Sequence, residues 1–126
     1  MFINVSNHVS EKWSKEQREA AEQYGKIVDF NFPNIKPELT SYDIDGLVDK
    51  FKEDIILAVT QKFPEENRFA VMVQGEFIFT FRLVTELKKA GIKVVASRSE
   101  RKVVEKVENG ITKTTSEFKF AGFMEY

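Results

Sequence analysis

Three short polar stretches hold the residue types that could do chemistry: Ser6-Asn7-His8, Gln74-Gly75-Glu76, and Ser97-Arg98-Ser99-Glu100-Arg101. His8 is the only histidine of the chain, and an imidazole can take or give a proton near neutral pH or hydrogen-bond a purine edge or phosphate. Arg98 and Arg101 carry guanidinium forks that grip phosphate bidentately, and the hydroxyls of Ser97 and Ser99 can complete such a shell. Gly75 allows a tight turn and a close approach of the backbone to a ligand, and the amides that begin the next helix can receive an anion. Gln74 offers both a donor and an acceptor. Glu76 has two readings: it complements the helix dipole, or it faces the ligand. The arginine stretch likewise reads either as a phosphate grip or as a solvated turn in which Glu100 pairs one arginine, with Lys102 in the patch or facing water.

Other chemistries lack their residues. One histidine and no cysteine leave no zinc site. Asp43, Asp45 and Asp49 have the spacing of a calcium loop without the rest of its pattern, and read as charge at a helix start. Neither GxGxxG nor GxxxxGK[ST] occurs, so neither a dinucleotide fingerprint nor a P-loop is expected. No metal or cofactor is called for.

The elements between these stretches alternate. Phe2, Ile3 and Val5 make a first strand, and a helix is expected from Glu11 to Tyr24, with Ser10 as N-cap and Gly25 as stop. Lys26 to Phe32 reads as a second strand. The two prolines of "PNIKPELTSY" make a loop. A long helix follows from Tyr42 or Asp43 to Phe63, striped by Leu47, Phe51, Ile55, Val59 and Phe63, with Pro64 beyond. "RFAVMVQ" is a third strand apolar enough to be covered on both faces. Glu76 to Ala90 is a third helix, and "IKVVAS" a fourth strand. Asn109-Gly110 between two alternating runs then marks an antiparallel hairpin after residue 100. This is the grammar of one α/β domain over residues 1–126, a Rossmann-like, mostly parallel open sheet with three helices and a C-terminal β-hairpin. In such sheets ligands bind at the carboxyl ends of strands, where all three polar stretches are expected to fall. Phe77, Phe79 and Phe81 cannot all face inward, and Phe79 is expected to form a ligand wall or subunit contact.

A net charge of −1 argues against a protein that coats duplex DNA, which needs a basic excess. The apolar runs are too short for a membrane span of ~18–20 residues, and the N-terminus has no signal-peptide pattern. With no cysteine to form disulfides, a cytoplasmic setting is expected.

In the order of these pieces the chain resembles small single-domain proteins of the CRISPR-associated Rossmann fold (CARF-like). The likeness rests on Ser-Asn-His before "SEKWSKEQ", on "VQGEF", "ASRSER" and "ENG", and on the closing "FKFAGFMEY". Some relatives of that kind are ring nucleases, which degrade the cyclic oligoadenylate messengers of type III systems. The resemblance implies a homodimer that binds a cyclic oligoadenylate across its two-fold and cleaves it without metal, the ribose 2′-hydroxyl attacking its own phosphate. It implies that Gln74, Gly75 and Ser97 orient phosphate and ribose, that Arg98 or Arg101 stabilises developing charge, that His8 moves the proton and that Glu76 orients the hydroxyl. Ser6, Asn7, Phe77 and Ser99 complete the expected ligand-binding set. Two positions depart from the pattern: Asn7 separates Ser6 from His8, and bulky Phe77 and Ile78 stand where small residues would admit a ligand. A non-catalytic sensor of the same messenger and a protein-interaction scaffold are the alternative readings.

Overall fold

The computed structural model describes residues 1–62 and 68–126. In chain order its main elements are β1 (Phe2–Ser6), α1 (Lys15–Glu22), β2 (Ile27–Asn31), α2 (Ser41–Leu57), β3 (Ala70–Gln74), α3 (Phe77–Lys89), β4 (Val94–Glu108) and β5 (Ile111–Glu125). The strands form one sheet in the order β2-β1-β3-β4-β5. All pairs are parallel except β4 with β5. This is the expected α/β sheet with a terminal hairpin and, among the described residues, three α-helices.

Alternation along the central strands assigns the two faces. Ile3, Val5, Val71, Val73 and Val94 pack with α2 and α3 into the larger core, which includes Phe79, Leu83 and Leu87. Phe2, Ala70, Met72 and Val95 point the other way, against Ala21 of α1, Trp13, Tyr24 and Phe123. No described helix is long and apolar enough to cross a membrane.

The helix boundaries correct several expectations. Ser10 caps nothing; it starts a short 3-10 turn (Ser10–Lys12), and the N-cap of α1 is Ser14, whose hydroxyl accepts from the Gln17 amide. The hydroxyl of Ser10 instead donates to Asp29 at 2.8 Å. A carboxylate on β2 therefore outcompetes the cap. Thr40 and Asp43 form a reciprocal capping box at the start of α2, so Asp43 does serve the helix terminus. The hydrogen bonds to Thr40 hold the Asp43 carboxyl below its ordinary pKa. A π-helical turn (Ala58–Lys62) follows α2, and the expected end at Phe63 and Pro64 lies outside the described residues.

Phe79 is fully buried, in edge-to-face contact with Phe32 and Phe51, both at 5.2 Å. It is a core residue, not a ligand wall or subunit contact. The inward stripe of α3 runs Phe79, Leu83, Leu87, and a buried Phe or Leu is worth about 1.5–3 kcal/mol. That stripe leaves Phe77 and Phe81 exposed.

The "SRSER" stretch is not a turn. Strand β4 runs straight through it to Glu108, paired with β5 all the way to a turn at Asn109-Gly110, both at positive φ. Only the base of this hairpin joins the sheet: β3 pairs with β4 at Val71–Val94 and Met72–Val95 alone. Beyond Ser99, the two strands project as an arm.

Candidate functional site

In a 2-1-3-4 order the strands are added outward in opposite senses from β1 and from β3, and a crevice opens at the carboxyl ends of that pair. The α1 face is covered there by a helix of only eight residues. A cleft of about 540 Å³ lies on this face, at the carboxyl ends of β1 and β3 and against β4. Its floor and walls include Ser6, Asn7, His8, Gln74, Gly75, Ser97 and Ser99. Seven of the residues that sequence put forward therefore meet in one place.

The β1 end is built from below. Asn4, buried on the α1 face, donates from Nδ2 to the His8 carbonyl at 2.8 Å and to Asp29 Oδ1 at 2.7 Å. Ser6 Oγ donates to Asn4 Oδ1 at 2.7 Å and accepts from the His8 amide at 3.2 Å. The indole N–H of Trp13 also donates to the His8 carbonyl, at 3.1 Å. Asp29 closes the network by accepting from the Ser10 amide as well as its hydroxyl. The backbone of the His8 loop is thus fixed by three side chains, two from β1 and one from the segment before α1. The imidazole itself is exposed in the cleft and makes no hydrogen bond among the described residues.

On the β3 side, strands β3 and β4 splay after Met72. The carboxamide of Gln74 fills the gap: its Oε1 accepts from the amide and the hydroxyl of Ser97, both at 2.9 Å. Gln74 therefore replaces missing ladder bonds and holds Ser97 at the cleft wall. At Gly75 a Cβ would lie 2.3 Å from the ring of Phe32. The glycine makes room for that ring, not for a ligand. Glu76 is the N-cap of α3, and its two carboxylate oxygens accept from the amides of Ile78 and Phe79 at 2.8 Å each. Those amides, expected to receive an anion, are already occupied by the chain's own carboxylate.

Four of the expected residues lie outside the cleft. Arg98 alternates to the opposite face of β4, across from Gly122. Arg101 shares the cleft side but lies further along the arm, where its guanidinium donates to Ser116 Oγ at 2.9 and 3.1 Å. Glu76 is spent as a cap, and Phe77 points to solvent.

The structure adds residues that sequence reasoning missed: Lys12, Trp13, Ser14, Gln17, Phe118 and Phe120. Among the described residues, Lys12 is the only lysine or arginine lining the cleft. Trp13 and Gln17 share a face at four-residue spacing, which was legible, but their arrival at the site depends on the Ser10–Asp29 bonds. Phe118 and Phe120 depend on a β-bulge. Arg98 pairs with Gly122 and Ser99 with Phe120, so Ala121 is an extra residue on β5. That insertion puts Phe120 and Phe123 on the same face, in edge-to-face contact at 5.0 Å.

The cleft therefore presents hydroxyls, amides, one ammonium, one imidazole and three aromatic side chains. Aromatic faces stack flat bases, and the polar groups suit phosphate and ribose. Among the described residues no cluster of His, Asp and Glu could hold a metal ion. No curated protein and no solved structure matches the chain. Residues 1–124 match the family described as "Uncharacterized protein MJ1673 family", and the chain belongs to that family.

Proposed function

We propose that the cleft at the β1/β3 switch point binds a cyclic oligoadenylate. The observation that carries this reading is the meeting of Trp13, Phe118 and Phe120 with Lys12, His8 and Ser99 around one opening of about 540 Å³. Stacking on an aromatic side chain contributes about 1–3 kcal/mol per base, and a single lysine matches a ligand with few phosphates rather than a polyanion. The CARF-like resemblance supplies the ring form of the ligand and a cytoplasmic setting.

Cleavage is a second reading, and the position of His8 favours it. Its imidazole stands exposed in the cleft, with the loop beneath it fixed by Asn4, Ser6 and Trp13. In that reaction His8 takes the proton of a ribose 2′-hydroxyl, and the oxygen attacks the adjacent phosphorus. The bond to the 5′-oxygen breaks, that oxygen takes a proton, and a 2′,3′-cyclic phosphate remains. Lys12 then answers the charge developing on the phosphate, the part first expected of Arg98 or Arg101.

The test is incubation of the purified chain with labelled cyclic oligoadenylates of several ring sizes in EDTA, followed by calorimetry and chromatography. Binding of one ring with Kd raised about tenfold by Lys12→Ala supports the cleft. Linear products that vanish in His8→Ala, with binding retained, establish cleavage; intact rings establish a sensor. Absence of binding to every ring overturns the proposal and leaves the scaffold reading.

A further inference from the structure

The arm formed by β4 and β5 beyond Ser99 is amphipathic, and nothing among the described residues covers it. Pairing in register gives each face its residues. The reverse face carries seven charges, Glu100, Lys102, Lys106, Glu108, Lys113, Glu117 and Lys119, beside Val104 and Ile111. The face continuous with the cleft carries two charges only, Arg101 and Glu105. Its apolar residues Val103, Val107 and Phe118 are 59%, 71% and 73% exposed. An antiparallel sheet with one highly charged face is normally packed on the other. A bare two-stranded ribbon is marginal in water.

The two charges on that face indicate what covers it. They are opposite in sign, and they flank Val103 symmetrically, two residues to either side. Neither forms an ion pair among the described residues; Arg101 is held by the neutral Ser116 hydroxyl. A surface that carries its own complement on either side of a central apolar residue fits a second copy related by a two-fold axis.

We propose that this face is a contact between two copies of the chain, packed antiparallel about Val103, with Arg101 of each copy against Glu105 of the other. Pairing about Val103 sets position 99 opposite position 107, so Val107 of one copy lies over Ser99 and Phe120 of the other. The Asn109-Gly110 turn then reaches across the mouth of the other copy's cleft. The ten residues of β4 from Ser99 to Glu108 span roughly 34 Å, and two strands are about 10 Å wide, which gives about 340 Å² of face. A standard stable interface takes about 800 Å² per partner, so the arm face by itself makes a small one. Each copy roofs the other's site. The surface follows from the arm alone and is independent of what the cleft binds.

Sedimentation or light scattering on the full chain tests this, with circular dichroism as the check on folding. The wild type should run at twice the 14.6 kDa chain mass. Arg101→Glu and Glu105→Arg each oppose like charges and should weaken association at least about tenfold. The double exchange should restore the dimer. A wild type that stays monomeric at 100 μM, single variants that remain dimeric, or a folded double variant that stays monomeric overturns the proposal. The chain has no cysteine, so Val103→Cys gives a second readout. A short bismaleimide should link Val103→Cys into dimers and leave Lys106→Cys, on the reverse face, unlinked; equal linking of both also overturns it. Ligand calorimetry on Lys106→Cys reports the cleft separately from the interface.

Discussion

Gly75 is a glycine because of Phe32, and the difference matters for how the site is tested. Replacing it with alanine drives a methyl group into a ring already wedged against Phe79. Such overpacking costs about 1–3 kcal/mol. Urea unfolding of Gly75→Ala should show that loss, and Phe32→Leu in the same chain should recover part of it. Were Gly75 a ligand contact alone, stability would be unchanged and affinity would fall. Gln74 and Glu76 teach the same lesson. All three sat where a ligand site was expected, and each is accounted for inside the chain, by a splayed strand, a ring and a helix cap. Residue type and sequence position revealed the junction; they could not reveal that its polar groups were already engaged.

At the scale of elements, the loop after β1 owes its shape to β2. Asp29 accepts from Asn4 and from the amide and hydroxyl of Ser10, and Asn4 in turn holds the His8 carbonyl. Asp29→Ala should therefore loosen the His8 loop at a distance from the cleft. About 1 kcal/mol per lost hydrogen bond is expected, so a loss of about 2–3 kcal/mol in unfolding free energy. His8 ring resonances in the NMR spectrum should move with it, whereas an unaltered His8 spectrum would reject the linkage. Strand and helix order was readable because it rests on local periodicity, and so was the Asn109-Gly110 turn. The length of β4 was not. Ser97 to Arg101 reads as a polar turn, because an uncovered arm carries no core pattern and only pairing with β5 reveals it as strand. The start of α1 differs for a similar reason: Ser10 and Ser14 are both good caps, and a carboxylate 19 residues from Ser10 decides between them. The bulge at Ala121 that turns Phe120 into the cleft has one local sign, the positive-φ Gly122 inside the strand, which marks a bulge without saying which side chains it redirects.

For the molecule as a whole, the last strand is fastened back to the middle of the sheet. The Tyr126 hydroxyl donates to the Val73 carbonyl at 2.7 Å, and Lys88 donates to the Tyr126 carbonyl at 2.6 Å. Burial pushes the Tyr126 phenol above its ordinary value of 10.0. The folded state thus holds this proton more tightly than the unfolded one. Its contribution is complete below about pH 10 and is lost as pH rises through the raised folded value. Alkaline unfolding should show this drop, and Tyr126→Phe should remove it while costing about 1 kcal/mol at neutral pH through the lost hydrogen bond. An alkaline limb identical in Tyr126→Phe would show that another group drives it.

Trp13 is the only tryptophan of the chain, and it is part of the cleft wall with its indole N–H on the His8 carbonyl. The protein thus carries an intrinsic optical gauge at the place where occupancy is to be judged. Excitation of that one indole reports a single local environment: stacking of a base should quench it, and opening of the His8 loop should shift its emission to the red. Ring size, affinity and loop order can then be followed on unlabelled protein with no second tryptophan to subtract.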